Sequence, residues 1–394
     1  MTDKAKIVIP KKITHEVLEK LLWELEDQSE LVDLEIPIEI EYRGFGILPV
    51  LYSVVFTWMR RKTGNLIIPI DTNENQIKDF ASDYYGYLVL RTLMRHCNIV
   101  NHMGISLKEF FIPHIEQMHV KIERLSSKLP NEAVLIPCFD HLSIEKGLPH
   151  LFYPKDRTFP ETPIGLKNSI YLIADRLAKI YTSMMKGNMD ASSELRKILW
   201  ELLKNTDQHA RTDYLDQIKL IPNSRGLFIR IQRSSKDNFI ARAKHKGLEE
   251  YYESVLPQKD HLFILELSVF DSGPGLVKRF LGKNWSNDQT ILQDVNTVRK
   301  CLIKGQTSVD TRGGEKKGVG LDDVLKKLET KKGLLKIRSG RVSVYRDLVK
   351  SPYKATESEE KIDLYDWETC KPDKFTKMST LEGTVITLAY PLLS

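Results

Sequence analysis

ELRKILWELLKNTDQHA, residues Glu194 to Ala210, reads as one helix on which the second half of the chain depends. Leu195, Ile198, Leu199, Leu202 and Leu203 recur at helical spacing and make a buried stripe. Glu201 and Asn205 stand four residues apart, so their side chains lie one turn from each other on a second face beside that stripe. A carboxylate and a carboxamide held together at the rim of a core are placed for polar chemistry.

With 394 residues the chain is long enough for two or three domains, each with its own core. Its 41% apolar and 28% charged residues describe a soluble globular protein. No apolar run approaches the length of a membrane span, and the Lys-rich N-terminus lacks a signal-peptide core, so a cytoplasmic protein without a membrane partner is expected. Cys97, Cys138, Cys301 and Cys370 form no CxxC pair, which argues against a disulfide framework or a structural zinc site. Cys138 and His141 make a C-x-x-H near Cys97, His96 and His102, but scattered residues of these types read as core or surface positions. The formal charge of +6 fits weak attraction to phosphate-rich partners. Its cations are interspersed with acids, so nucleic acid is a possible partner without support.

The first half alternates strand and helix. Lys6 to Pro10 reads as a short strand, and Thr14 precedes an amphipathic helix through Val17, Leu18, Leu21, Leu22 and Leu25 that ends near Gln28. Leu34 to Tyr42 alternates apolar and acidic residues as one strand with a solvated face. A Gly44-Phe45-Gly46 turn leads into an apolar helix, LPVLYSVVFTWMRR, stopped by Gly64, and Asn65 to Asp71 reads as a buried strand. Asp79 to Leu129 is mostly helical, Leu135 to Ser143 is open between helix and strand, and Phe152 to Pro163 reads as a linker. The expected division is an N-terminal unit over 1–155, a linker and lead-in helix over 156–190, and a C-terminal unit over 191–394.

In the C-terminal unit Gly226 to Arg233 is a strand, and Lys236 to Leu256 is a basic helical insertion with a solvated surface. His261 to Phe270 is a strand that delivers Asp271-Ser-Gly-Pro-Gly275 to its end, where Gly273 and Gly275 let the backbone turn and approach a flat ligand. Leu276 to Lys317 is polar and carries Arg299, Lys300, Lys304, Arg312, Lys316 and Lys317, and reads as a mobile cover. Gly318-Val-Gly320 then opens a helix, Leu321 to Leu328, whose first N–H groups can receive phosphate oxygens, while Asp322 and Asp323 suit its first turn. A hairpin about Ser339-Gly340, a polar insertion over Ser351 to Lys377 anchored by Trp367, and a last strand GTVITLAYPL follow.

In chain order, the Glu201/Asn205 helix, Asp271-x-Gly273-x-Gly275 after a strand, Gly318-Val-Gly320 before a helix and Gly383-Thr384 opening the last strand resemble the four boxes of the GHKL ATPases, the superfamily of gyrase, histidine kinases and MutL. The resemblance covers about residues 190 to 394 and is greatest to histidine kinases and anti-sigma-factor kinases. It implies an α/β fold with a C-terminal Bergerat-type α/β sandwich, a mixed sheet covered by helices, and a separate N-terminal α/β regulatory domain. The strand and helix succession of the first half resembles STAS-like domains.

The same resemblance implies ATP and Mg²⁺ as ligands. Asn205 then ligates the metal through its amide oxygen and Glu201 acts as general base. Asp271 accepts from the exocyclic amine of adenine, with Thr384 reaching both through its hydroxyl and Gly273 and Gly275 close to the base. Lys317, Gly318 and Gly320 stand at the phosphates and His209, one turn after Asn205, contacts them; Lys204 and Gln208 are further candidates. A slow or partner-activated ATPase is expected, because the lysine with which other members complete the γ-phosphate site has to come from elsewhere or be missing; a protein partner or a homodimer is also expected. The alternatives are a kinase acting on a separate regulatory protein and a non-catalytic nucleotide switch in a signalling or bacterial defence module. His15, followed by Glu16, lies far from where the phospho-accepting helix of a sensor kinase stands, and reads as a packing residue.

Overall fold

The computed structural model describes residues 5–42, 44–125, 133–154, 157–178, 191–303 and 320–392. Its first elements are Lys6–Val8 (β1), Lys12–Ile13 (β2), His15–Asp27 (α1), Val32–Glu35 (β3), Glu41–Tyr42 (β4), Ile47–Arg61 (α2), Thr63–Ile67 (β5), Glu74–Ser82 (α3), Tyr84–Leu93 (α4), Ile99–Val100 (β6), Lys108–Glu123 (α5), Ala133–Phe139 (β7) and Ile144–Gly147 (α6). Lys167–Ala178 (α7), Ala191–His209 (α8), Ser224–Ser234 (β8), Lys236–Ala243 (α9), Lys246–Val255 (α10) and Leu262–Asp271 (β9) follow. The last are Leu276–Leu281 (α11), Ile291–Cys301 (α12), Gly320–Glu329 (α13), Leu334–Gly340 (β10), Val342–Asp347 (β11), Tyr365–Asp366 (β12) and Leu381–Pro391 (β13). No described helix is long and apolar enough to cross a membrane.

A seven-stranded sheet in the order β12-β11-β10-β13-β9-β8-β7 is antiparallel at every pairing. Parallel pairing is confined to the small sheet β1-β3-β5-β6 and to the short pair β2-β4. β7 comes from upstream of residue 155 and pairs with β8 over its whole length, so the large sheet draws on both halves of the chain.

Side chains alternate along each strand, and both faces of the large sheet are covered. Leu265, Leu267 and Val269 of β9, with Ile386 and Leu388 of β13, belong to the core that holds Ile198, Leu199, Leu202 and Leu203 of α8 and Val324 and Leu328 of α13. Phe228, Phe270 and Val385 belong to a second core, with α2 and the small sheet. In α2 every residue from Ile47 to Met59 is buried, the fate of a helix that is apolar all round. Trp58 Nε1 donates to Val32 O of the small sheet at 2.7 Å, and the Tyr52 ring meets Phe270 of the large sheet at 5.6 Å between centroids. The protein is thus a layered α/β sandwich whose N-terminal part shares a core with the large sheet.

Local signals explain most of these elements. Thr14 caps α1 by accepting from Val17 N at 3.3 Å, and Leu18, Leu21, Leu22 and Leu25 are buried beneath it; each such leucine contributes roughly 1.5–3 kcal/mol. The alternating run Leu34 to Tyr42 is not one strand. β3 ends at Glu35 and β4 begins at Glu41, with Pro37, which has no N–H for a ladder, between them. Charges are also buried between the layers: Gly46 N donates to Glu266 Oε1 at 3.0 Å, Arg230 pairs with Glu266 at 2.7 Å, and Arg338 pairs with Glu19 of α1 at 2.7 Å.

Candidate functional site

Asp271 is the last residue of β9, and in phase with Leu265, Leu267 and Val269 it faces the α8 layer. It stands opposite Thr384 of β13 and Arg225 of β8 in the strand registers. Its Oδ1 accepts from Gly273 N at 2.8 Å. Beyond it the chain is crowded. A Cβ at Gly273 would lie 2.7 Å from Ala210 Cα just past α8, and one at Gly383, where φ is +87°, would lie 1.8 Å from Asp271 O. Gly275 also has a positive φ, +85°, with Ser339 Oγ 3.0 Å from its Cβ position. The Thr384 hydroxyl lies 3.0 Å from Ser339 Oγ, which in turn accepts from Leu276 N at 2.9 Å. Burial pushes the Asp271 carboxyl up to about 6, against the opposing pull of the Gly273 N–H, the Arg60 charge, the Thr384 N–H and the Arg225 charge.

The leucine stripe of α8 is in the core, with Ile198, Leu199, Leu202 and Leu203 buried. Glu201 and Asn205 are half-buried on the neighbouring face. The first residue of α13 meets both: a Cβ at Gly320 would lie 3.0 Å from Glu201 Oε2 and 3.3 Å from Asn205 Nδ2. Among the described residues neither the Glu201 nor the Asn205 side chain makes a hydrogen bond. Burial raises the Glu201 carboxyl above the usual range, with the Asp323 charge adding to it and Lys204 and Lys327 opposing. Asp322 accepts from Tyr353 OH at 2.9 Å, and Asp323 pairs with Lys327 at 3.1 Å within α13.

The remaining expected residues are more scattered. Lys204 Nζ lies over the Trp200 ring at 4.3 Å from its centroid, and Gln208 is exposed. His209 ends α8 near Asp216, a carboxylate held below the usual range by the Thr212 hydrogen bond first and, among other causes, by the His209 charge. Lys317 and Gly318 lie outside the described residues, as do Lys304, Arg312 and Lys316. The stretch from Leu276 to Lys317, read as a mobile cover, has regular structure in its first part. α11 and α12 are helices, Thr290 and Gln293 form a capping box at the start of α12, and Val295 and Val298 are buried. Arg299 donates to Ile362 O at 3.1 Å and Lys300 pairs with Glu359 at 3.4 Å.

Two groups of polar residues around the site escaped the sequence reading. Arg225, fully buried, donates to both oxygens of Asp140 at 2.8 and 2.9 Å and to Asp207 Oδ1 of α8 at 3.1 Å, and it also reaches Tyr153 OH; Arg211 pairs with Asp207 at 2.6 Å. On the other face, Arg60 and Arg61 of α2 reach Ser272 and Glu382, which flank Asp271 and Gly383. An arginine directly before the apolar run Gly226 to Ile229 was the available signal for Arg225. Among the described residues no group of three or more His, Cys, Asp and Glu side chains gathers as a metal site.

No family model matches the chain, and no curated protein and no solved structure is matched by it either.

Proposed function

We propose that this chain binds ATP with Mg²⁺ and hydrolyses it slowly, with the nucleotide state coupled to the N-terminal layer or to a partner. The observation that carries the reading is the placement, on the α8 side of the large sheet, of one group formed by Glu201, Asn205 and Gly320 and of a second formed by Asp271, Gly273, Gly383 and Thr384, whose Gly273 abuts Ala210 just past the same helix. The first group is fit for a hydrated magnesium nucleotide. A carboxamide and a carboxylate lie side by side against a glycine whose Cβ would fill the space between chain and side chains, and α13 begins there with its N–H groups. Asn205 is the residue to hold Mg²⁺, through its amide oxygen, and the ion supplies charge neutralisation at the phosphates.

The second group suits adenine. A buried carboxylate accepts a hydrogen bond from an exocyclic amine, a contact worth roughly 1.5–3 kcal/mol to a charged acceptor. Guanine presents a carbonyl at that position and leaves the carboxylate unpaired. Glu201 takes a proton from the water that attacks the γ-phosphorus, the bond to the bridging oxygen breaks, and ADP and phosphate result. Its carboxyl, raised by burial, is a stronger base than an ordinary glutamate, which favours that role.

Calorimetric titration with ATP, ADP and GTP in the presence of Mg²⁺ tests the reading. ATP and ADP are expected to bind, GTP is not, and Asp271→Asn is expected to weaken ATP binding by about tenfold or more. Failure of the wild-type chain to bind ATP overturns the proposal. Labelled ATP, followed as free phosphate or as phosphate carried on a protein, separates hydrolysis from transfer to a partner.

A further inference from the structure

The last turn of α2 ends against the strands that carry the proposed base site. Thr57 Oγ1 accepts from Glu382 N at 2.9 Å, and Arg61 donates to Glu382 Oε1 through Nη2 at 2.7 Å and Nε at 3.0 Å. Arg60 Nη2 donates to Pro222 O at 3.1 Å and to Ser272 Oγ at 3.4 Å. Its Nη1 makes no hydrogen bond among the described residues and faces Glu382 Oε2 at 3.6 Å. Ser272 follows Asp271, and Glu382 precedes Gly383 and Thr384. One helix end therefore grips both strand ends at the residues next to those that would read the base.

The chemistry of Arg60 suits this place. A guanidinium offers forked donors in one plane, so a single side chain bonds the Pro222 carbonyl and the Ser272 hydroxyl while turning its other nitrogen toward a carboxylate. Two buried carboxylates, Glu382 and Asp271, feel its charge. Arg61 and Lys278 also act on Glu382, whereas for Asp271 Arg60 is the foremost of the charges that oppose its burial, ahead of Arg225. The sequence places Arg60 in a helix of the first half, 162 residues before Pro222 and 212 before Ser272, so it belongs to the N-terminal layer by chain position and to the base site by contact.

Resting on the ATP reading, we propose that Arg60 is a positioning residue for adenine recognition, and that the seating of α2 against Ser272 and Glu382 sets how well Asp271 distinguishes an amine-bearing purine. Regulation of the N-terminal layer then reaches the nucleotide through α2. A shift of this helix withdraws a cation from a buried carboxylate and loosens the turn beyond it.

The test compares ATP with purine riboside triphosphate, which has the same sugar and phosphates and lacks the exocyclic amine. The wild type is expected to prefer ATP by about tenfold or more. Arg60→Gln is expected to lower ATP affinity to near that of the analogue while leaving the analogue unchanged, Arg60→Lys to restore most of the preference, and Arg60→Gln to add nothing in an Asp271→Asn background. Should Arg60→Gln not fold, Arg61→Gln, which removes the two-point contact of α2 with Glu382 Oε1, is expected to narrow the preference in the same direction. Equal losses for both nucleotides without rescue by lysine, or a preference that persists in the glutamine variants, overturn the inference and leave the ATP reading standing. Absence of binding of either nucleotide to the wild type instead removes the ATP reading.

Discussion

Glu201 and Asp271 are both carboxylates raised by burial, yet their surroundings differ in kind. Glu201 is half-buried with lysines nearby and no hydrogen bond among the described residues, so its oxygens are available for a water. Glu201→Gln is expected to lower ATP turnover by about 10²–10⁴-fold while leaving ATP affinity unchanged. Single-turnover phosphate release beside calorimetry checks this; parallel loss of both would remove the general-base role. Asp271 is pushed up to about 6, so the folded state holds its proton more tightly than the unfolded chain does. The stability tied to that proton is present below an ordinary carboxyl pKa and is lost as pH rises through about 6. Asp271→Asn is therefore expected to stabilise the ligand-free protein by up to about 3 kcal/mol at pH 8, with the gain vanishing near pH 4. Thermal denaturation across that range reads it. Glu201, Asn205, Asp271 and Thr384 were legible because each sits in a local spacing or turn, whereas Arg60 and Arg225 act on residues 212 and 85 positions away, which no local pattern encodes.

α8 carries a buried apolar stripe and a half-buried polar face at once, and its polar anchor is Asp207, two residues after Asn205. Asp207 is held by Arg225 of β8 and by Arg211, while Arg225 is fixed to Asp140 in the segment after β7. Arg225→Met leaves Asp140 and Asp207, both partly shielded from water, with Arg211 as their remaining cation, and a loss of about 3–5 kcal/mol in chemical denaturation is expected; a loss below about 1 kcal/mol would mean that the network adds little. Gly320→Ala is expected to spare stability and to weaken nucleotide binding at least about tenfold, because the new methyl sits 3.0 Å from Glu201 Oε2 and 3.3 Å from Asn205 Nδ2. Helices and strands with a long period, such as α1, α8, β8, β9 and β13, were readable from the text. β7 was not, since a short apolar run containing a proline fits helix or strand until its partner is known, and β8 lies far downstream. α12 escaped for the opposite reason: most of its residues are polar, and a buried pair of valines with a capping box is a faint signal inside a cationic stretch.

The docking of the N-terminal layer on the large sheet depends on titratable groups packed where water is excluded. Lys336 of β10 lies 3.0 Å from His15 Nε2 and 3.6 Å from the centroid of the Trp367 ring, while His245 stacks on the other side of this arrangement with its ring 3.6 Å from Trp367. The layering itself was not legible, because this cluster joins α1, the β10 strand, the 236–256 insertion and the segment after β12. Burial, and then the Lys336 charge, hold His15 well below the usual imidazole range. Burial brings His245 down to about 4, with Lys336 opposing protonation and the Trp367 carbonyl, Glu16 and Asp366 favouring it. Arg338 and its partner Glu19, together with Glu368 and Glu266, are further charges that act on Lys336 at this interface. Both imidazoles are therefore neutral in the folded state and bind protons more readily when the chain unfolds. Stability is fully present above the ordinary histidine pKa of about 6.5 and is lost as pH falls from there toward about 4. The expected outcome is a marked fall in melting temperature between pH 7 and pH 5, with amide exchange accelerating first in α1 and in α9 and α10. A His15→Gln, His245→Gln double variant is expected to show a shallower slope. If it follows the wild type in parallel, the acid sensitivity resides instead in His96, His119 and His141, which burial also depresses and which lie away from this interface.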